Sequence, residues 1–156
     1  MLKVVGIGEM ATSIDKDVIL KTYALSSCVA VIAYSPQKRA SGLIHVALPA
    51  SSDIDHIKER PCYYAKTGIP LLIESMCTKY GCAKTELQIS LYGGAGTGRH
   101  NDMFNIGEKN LHAVKKALQK MQLCYEERDV GGMICRTVEM KVDTGLVKVS
   151  LLPLVI

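Results

Sequence analysis

Two short apolar segments joined by a turn constrain this chain more than any other feature. Leu25-Ser26-Ser27-Cys28-Val29-Ala30-Val31 and Gly42-Leu43-Ile44-His45-Val46-Ala47-Leu48-Pro49 flank Tyr34-Ser35-Pro36-Gln37-Lys38-Arg39. A proline in a polar cluster with two charges marks a turn. The Val- and Ile-rich flanks read as strands over residues 28–34 and 43–48. Strands joined by so short a turn lie side by side and antiparallel. That pairing can bring the Cys28 thiol near the His45 imidazole. An imidazole can take a thiol proton and later return it to a leaving group. The same two residues also suit an inert core, because free Cys behaves as a small hydrophobe. Spacing alone does not separate the two readings.

The rest of the chain supplies further strands at residues 4–7, 18–25, 87–92, 123–130, 136–142 and 146–152. A helix is predicted over residues 64–80, where Ile69, Leu72, Ile73, Met76 and Tyr80 recur at helical spacing. Pro70 should kink it or mark its first turn, and Gly81 should end it. A second helix is predicted over residues 106–122, with Leu111, Val114, Leu118 and Met121 in one stripe. Asn105 suits its N-cap, and Glu108 three residues later completes a capping-box pattern. Asp143-Thr144-Gly145 turns between the last two strands. Residues 50–61, mixed in acids and bases, are expected to form a mobile loop at the rim of a site containing His45. Strands outnumber helices and are mostly hairpin-linked. The fold class is therefore α+β (mixed α/β), in a single domain over residues 1–156.

Composition narrows the function. A chain of 156 residues can bury a real core without staples. The net charge is +4 with the basic residues scattered along the sequence, which argues against nucleic acid and leaves a mild field favouring an acidic partner. There are six cysteines. The start does not resemble a signal peptide and no long apolar run follows, so a cytoplasmic protein with reduced thiols and no membrane insertion is expected. Cys77 and Cys82 have no second Cys/His pair at structural-zinc spacing, and no cofactor is implied. Gly6-Ile7-Gly8-Glu9-Met10-Ala11 matches a dinucleotide fingerprint, but the following residues do not read as the helix it requires. Residues 93–100 are a near miss of a P-loop, lacking its Lys and Ser/Thr, and are read as a loop near an active site or partner surface. His56, His100 and His112 have no matched partners and receive no role.

The words around Cys28 and His45 carry more. Thr22, Leu25-Ser26-Ser27-Cys28-Val29 and Gly42-Leu43-Ile44-His45-Val46-Ala47-Leu48-Pro49 resemble the signature of the CheD family of chemoreceptor glutamine deamidases. Tyr92-Gly93-Gly94-Ala95, Asn105-Ile106-Gly107-Glu108-Lys109-Asn110, and Asp129-Val130-Gly131-Gly132 with Arg136 resemble further family motifs, in family order. Ser26 stands where the family usually has Gly, Lys66 where it often has an acid, and residues 96–103 depart from the usual text. The resemblance implies two stacked β-sheets with helices packed outside, similar to the catalytic domain of the cytotoxic necrotizing factor toxins. It implies Cys28 as nucleophile, His45 as base and acid, and Thr22 as the third member that orients the imidazole. Backbone N–H groups near Ser27 and Cys28 would be the oxyanion donors, placing Ser27 against the substrate. The implied substrate is a Gln side chain, or a glutamyl methyl ester, on chemoreceptor cytoplasmic helices. The alternative it implies is a regulatory partner that binds and stimulates a CheC-type phosphatase of CheY.

Overall fold

The computed structural model describes residues 1–97 and 104–153. Their order is β1 (Leu2–Val4), β2 (Met10–Ser13), β3 (Ile19–Leu25), β4 (Val29–Ser35), β5 (Ala40–Val46), α1 (Ile54–Glu59), α2 (Ala65–Tyr80), β6 (Gln88–Gly93), α3 (Ile106–Lys120), β7 (Glu126–Val130), β8 (Ile134–Lys141) and β9 (Val147–Pro153). One sheet runs β1-β3-β8-β9 and the other β2-β5-β4-β6-β7. β4 and β5 form the expected antiparallel hairpin, with Ala30 opposite His45 and Val29 opposite Val46.

The apolar run of the hairpin is explained by what covers it. Val29, Val31 and Ala33 of β4, with Ile44 and Val46 of β5, pack with Ile69, Leu72, Ile73 and Met76 of α2 and with Val114 and Leu118 of α3. Ala30, Ile32 and Leu43 point the other way, into a second core with Leu20, Leu25, Val138 and Met140 of the smaller sheet. Strands covered on both faces lose the polar positions that half-exposed strands keep. Each fully buried Val, Leu or Ile here contributes about 1.5–3 kcal/mol. The result is sheet on sheet with the helices outside the five-stranded sheet, in agreement with the α+β expectation.

Several elements differ from the sequence reading. The first strand ends at Val4, and Gly6–Glu9 turns into β2, a strand the periodicity did not reveal. That turn explains the dinucleotide-like glycines: residues 10–13 continue as a strand pairing β5, where a Rossmann unit needs a helix. Residues 50–61 are not a plain loop. They contain α1, capped by Asp53, whose carboxylate accepts from the His56 N–H. A six-residue helix without buried residues has no apolar stripe to read. Pro70 lies inside α2, five residues after its start, rather than in its first turn. β7 begins at Glu126 and pairs parallel with β6, so α3 is the crossover between them. Asn105 adopts a left-handed conformation (φ 43°) and makes no side-chain cap bond to the helix. Its amide instead donates to the Glu108 carboxylate, so the capping box is not formed.

Candidate active site

β3 lies in one sheet and β5 in the other, and their inner faces meet at Thr22 and His45. Both side chains are buried, at 0% and 1% exposure. Thr22 Oγ1 lies 2.7 Å from the Val5 carbonyl and 2.7 Å from His45 Nδ1. A hydroxyl has one hydrogen, and a carbonyl can only accept. Thr22 therefore donates to Val5 and accepts from His45 Nδ1–H. This fixes the neutral tautomer: the ring proton sits on Nδ1 and the lone pair on Nε2. Nε2 is buried with no hydrogen-bond partner among the described residues.

Cys28 lies on the side of the hairpin that also bears His45. His45 is opposite Ala30, and Cys28, two residues before Ala30, packs against the same inter-sheet core. Diagonal neighbours of this kind lie roughly 7–8 Å apart, within reach of a ring-bearing side chain. Burial pushes the Cys28 thiol above its ordinary 9.0 and lowers His45 to about 4. At neutral pH the thiol and the imidazole are therefore both uncharged, and the ring's free lone pair sits on Nε2.

Five features hold the Cys28 segment in place. Gly94 N–H donates to the Cys28 carbonyl at 2.8 Å, and Ala95 N–H to the Ser26 carbonyl at 2.8 Å. Gly93 has φ +100°, and a Cβ there would stand 2.3 Å from the Cys28 carbonyl oxygen, so only glycine fits. Gly107, in the first turn of α3, is pressed on the same loop; its Cβ would lie 2.2 Å from the Ala95 oxygen. Asn110, fully buried one turn further on, donates through Nδ2 to the Ser27 carbonyl at 2.9 Å and to the Ala47 carbonyl at 3.0 Å. One amide therefore ties the residue before Cys28 to the second residue after His45. Behind the loop, Arg136 donates to Asp129 at 2.8 Å and to the Gly131 carbonyl at 2.8 Å, and its third contact is the Gly93 carbonyl at 3.5 Å.

The structure thus brings Thr22 to His45 and sets Cys28 on the same face. Ser27 is half-buried; its carbonyl is engaged by Asn110. Neither Ser27 N–H nor Cys28 N–H donates to a described residue. Ser26 does not occupy the positive-φ region; Ala24 does, at the β3 irregularity, with φ 57°. Replacing glycine by Ser26 therefore carries no left-handed strain. Sequence reasoning quoted Asn110, Gly107 and Arg136 only as parts of motifs. Their spacing from Cys28 in the chain gives no sign that they support it. His56 bonds Tyr64 through Nδ1, and His112 is exposed on α3. His100 lies outside the described residues, as does most of the 96–103 segment. Cys62, Cys77 and Cys135 are half-buried, Cys82 is buried and Cys124 exposed, all as free thiols.

A profile described as CheD chemotactic sensory transduction matches residues 47–151. The chain is 44% identical over 151 residues to a probable chemoreceptor glutamine deamidase CheD of Syntrophotalea carbinolica, covering 94% of this chain and 92% of that one. It is 37% identical to a probable chemoreceptor glutamine deamidase CheD 1 of Syntrophus aciditrophicus, covering 94% and 92%. It is 36% identical to a probable chemoreceptor glutamine deamidase CheD of Thermococcus kodakarensis, covering 92% and 89%. The profile begins two residues after His45, but alignments of this extent necessarily take in residues 22–45. With its motifs, layered sheets and two-thirds of its length matched by the profile, the chain belongs to the CheD family.

Proposed function

We propose that this protein is a cysteine-dependent glutamine deamidase that converts Gln side chains on chemoreceptor cytoplasmic helices to Glu. The observation that carries the reading is the Thr22–His45 bond, which leaves Nε2, without a partner among the described residues, as a base on the face that bears Cys28. The names of the relatives supply the substrate class.

In this reading His45 Nε2 takes the Cys28 thiol proton as sulfur attacks the carboxamide carbon. The negative oxygen of the tetrahedral intermediate is met by Ser27 and Cys28 N–H groups. The C–N bond breaks, and His45 gives its proton to the departing ammonia. Water, deprotonated by His45, attacks the thioester; the C–S bond breaks, the thiol regains a proton, and Glu is released. A glutamyl methyl ester follows the same course, with methanol as the leaving group. The cytoplasm, where chemoreceptor signalling helices lie, is the compartment this substrate requires.

The test incubates a chemoreceptor cytoplasmic fragment with the wild-type protein and with Cys28→Ala. A gain of about one dalton at each modified Gln, lost in the variant, is the expected result. Equal gain with Cys28→Ala overturns the thiol chemistry. No gain with the folded wild type overturns the deamidase reading and turns attention to the other role the resemblance implies, stimulation of a CheC-type phosphatase.

A further inference from the structure

The basic residues that are scattered in the sequence converge in the fold. A groove of about 850 Å³ runs between α2 and α3. Lys66 of α2 and Lys109, His112, Lys116 and Lys120 of α3 line it, all exposed. Their offsets along α3, three, four and four residues, place them on one face over three turns. Among the described residues, the only acid in the lining is Glu108, which already accepts from Asn105. Among the described lining residues, four lysines against one glutamate give this groove a formal charge of +3. Between the charges, Pro70, Ala113 and Ala117 give a shallow apolar floor.

We propose that this groove docks an acidic amphipathic helix of the protein substrate, an exosite beside the Cys28 site. The proposal rests on the protein-substrate reading above. Charge complementarity selects an acidic occupant, and the small-residue floor admits the apolar side of a helix laid along α3. A helix carrying carboxylates at matching three- and four-residue offsets meets Lys109, His112, Lys116 and Lys120 in turn. Nucleic acid fits less well, because the described lining residues include no Arg fork for phosphate and no Phe, Tyr or Trp ring for a base. The position favours the substrate over an unrelated partner. Pro49 and Ala50, at one end of the groove, follow His45 by four and five residues. Lys109 and Asn110 are consecutive: one lines the groove, the other grips the Ser27 and Ala47 carbonyls.

The test uses the full chain and its Lys109→Glu/Lys116→Glu/Lys120→Glu variant, with folding checked by circular dichroism. Fluorescence anisotropy follows a synthetic Glu-rich amphipathic helical peptide at low and high salt. Deamidation kinetics follow a receptor cytoplasmic fragment and, separately, a short uncharged Gln peptide. The wild type should bind the acidic peptide, with affinity falling as salt rises. The variant should bind it about tenfold more weakly and show a KM about tenfold higher on the fragment, with kcat and short-peptide turnover unchanged. Equal peptide binding by the two proteins, or tighter binding of a single-stranded oligonucleotide than of the peptide, overturns the groove assignment. Peptide binding that depends on the lysines, in a wild type that turns over neither substrate, overturns the deamidase reading and with it the exosite role, while the groove's preference for acid stands.

Discussion

Thr22 has one hydroxyl hydrogen, and the Val5 carbonyl takes it; everything proposed for His45 follows from that allocation. Thr22→Val keeps the shape but leaves Val5 oxygen and His45 Nδ1 unpaired in a buried site. We expect a stability loss of about 1–3 kcal/mol in urea unfolding. We also expect a fall in kcat of about a hundredfold, as the imidazole loses its fixed tautomer. Thr22→Ser keeps the same oxygen and should retain most of the activity, which a purely steric role would not require. Burial sets the pH behaviour. With His45 lowered to about 4, the acid limb of kcat/KM should fall near pH 4, where a solvated histidine would place it near 6.5. The alkaline limb should lie above 9.0, because burial raises the Cys28 thiol. The same shift affects stability. The unfolded chain binds the proton first, so His45 costs stability as pH falls from about 6.5, and the cost is complete below the folded value near 4. The stability difference between wild type and His45→Gln should change by about 3 kcal/mol between pH 7 and pH 4.

At the scale of elements, the β4–β5 hairpin was legible because it is covered on both faces and reads as an unbroken apolar run. α2 and α3 were legible from their stripes. β2 and α1 were not: β2 is only four residues long, and α1 is six residues with none buried, too little to leave a period. The N-terminus of α3 misled because an N-cap residue type does not fix the backbone: Asn105 is left-handed there. That helix start is fitted at Gly107 to the glycine loop that packs on Cys28. Alanine is intrinsically the better helix former by about 1 kcal/mol. Yet Gly107→Ala would set a methyl 2.2 Å from the Ala95 oxygen. The prediction is a net destabilisation of about 2 kcal/mol by chemical unfolding, together with lost activity as the Gly94–Cys28 contact shifts. A stabilised variant would show that the loop and helix are not in tight contact.

In the whole molecule, the candidate site is a seam. Thr22 comes from one sheet and His45 from the other, Cys28 from the loop entering β4, and Asn110 from the helical layer. No local pattern shows such a seam, because residues 22 and 45 meet only when the sheets stack. The sequence resemblance nominated Thr22, and the hydrogen bonds supply the physical reason. Arg136 spans the same seam, 3% exposed, between Asp129 and the glycine loop. Arg136→Met should cost about 3 kcal/mol in unfolding experiments, by leaving Asp129 and the Gly131 carbonyl without their donor. The most direct test of the central claim is acid-quench mass spectrometry of the protein during turnover of a receptor fragment. The account predicts a covalent adduct of substrate less one ammonia on the peptide containing Cys28. Release of ammonia with no adduct, at a rate unchanged in Cys28→Ala, would contradict it.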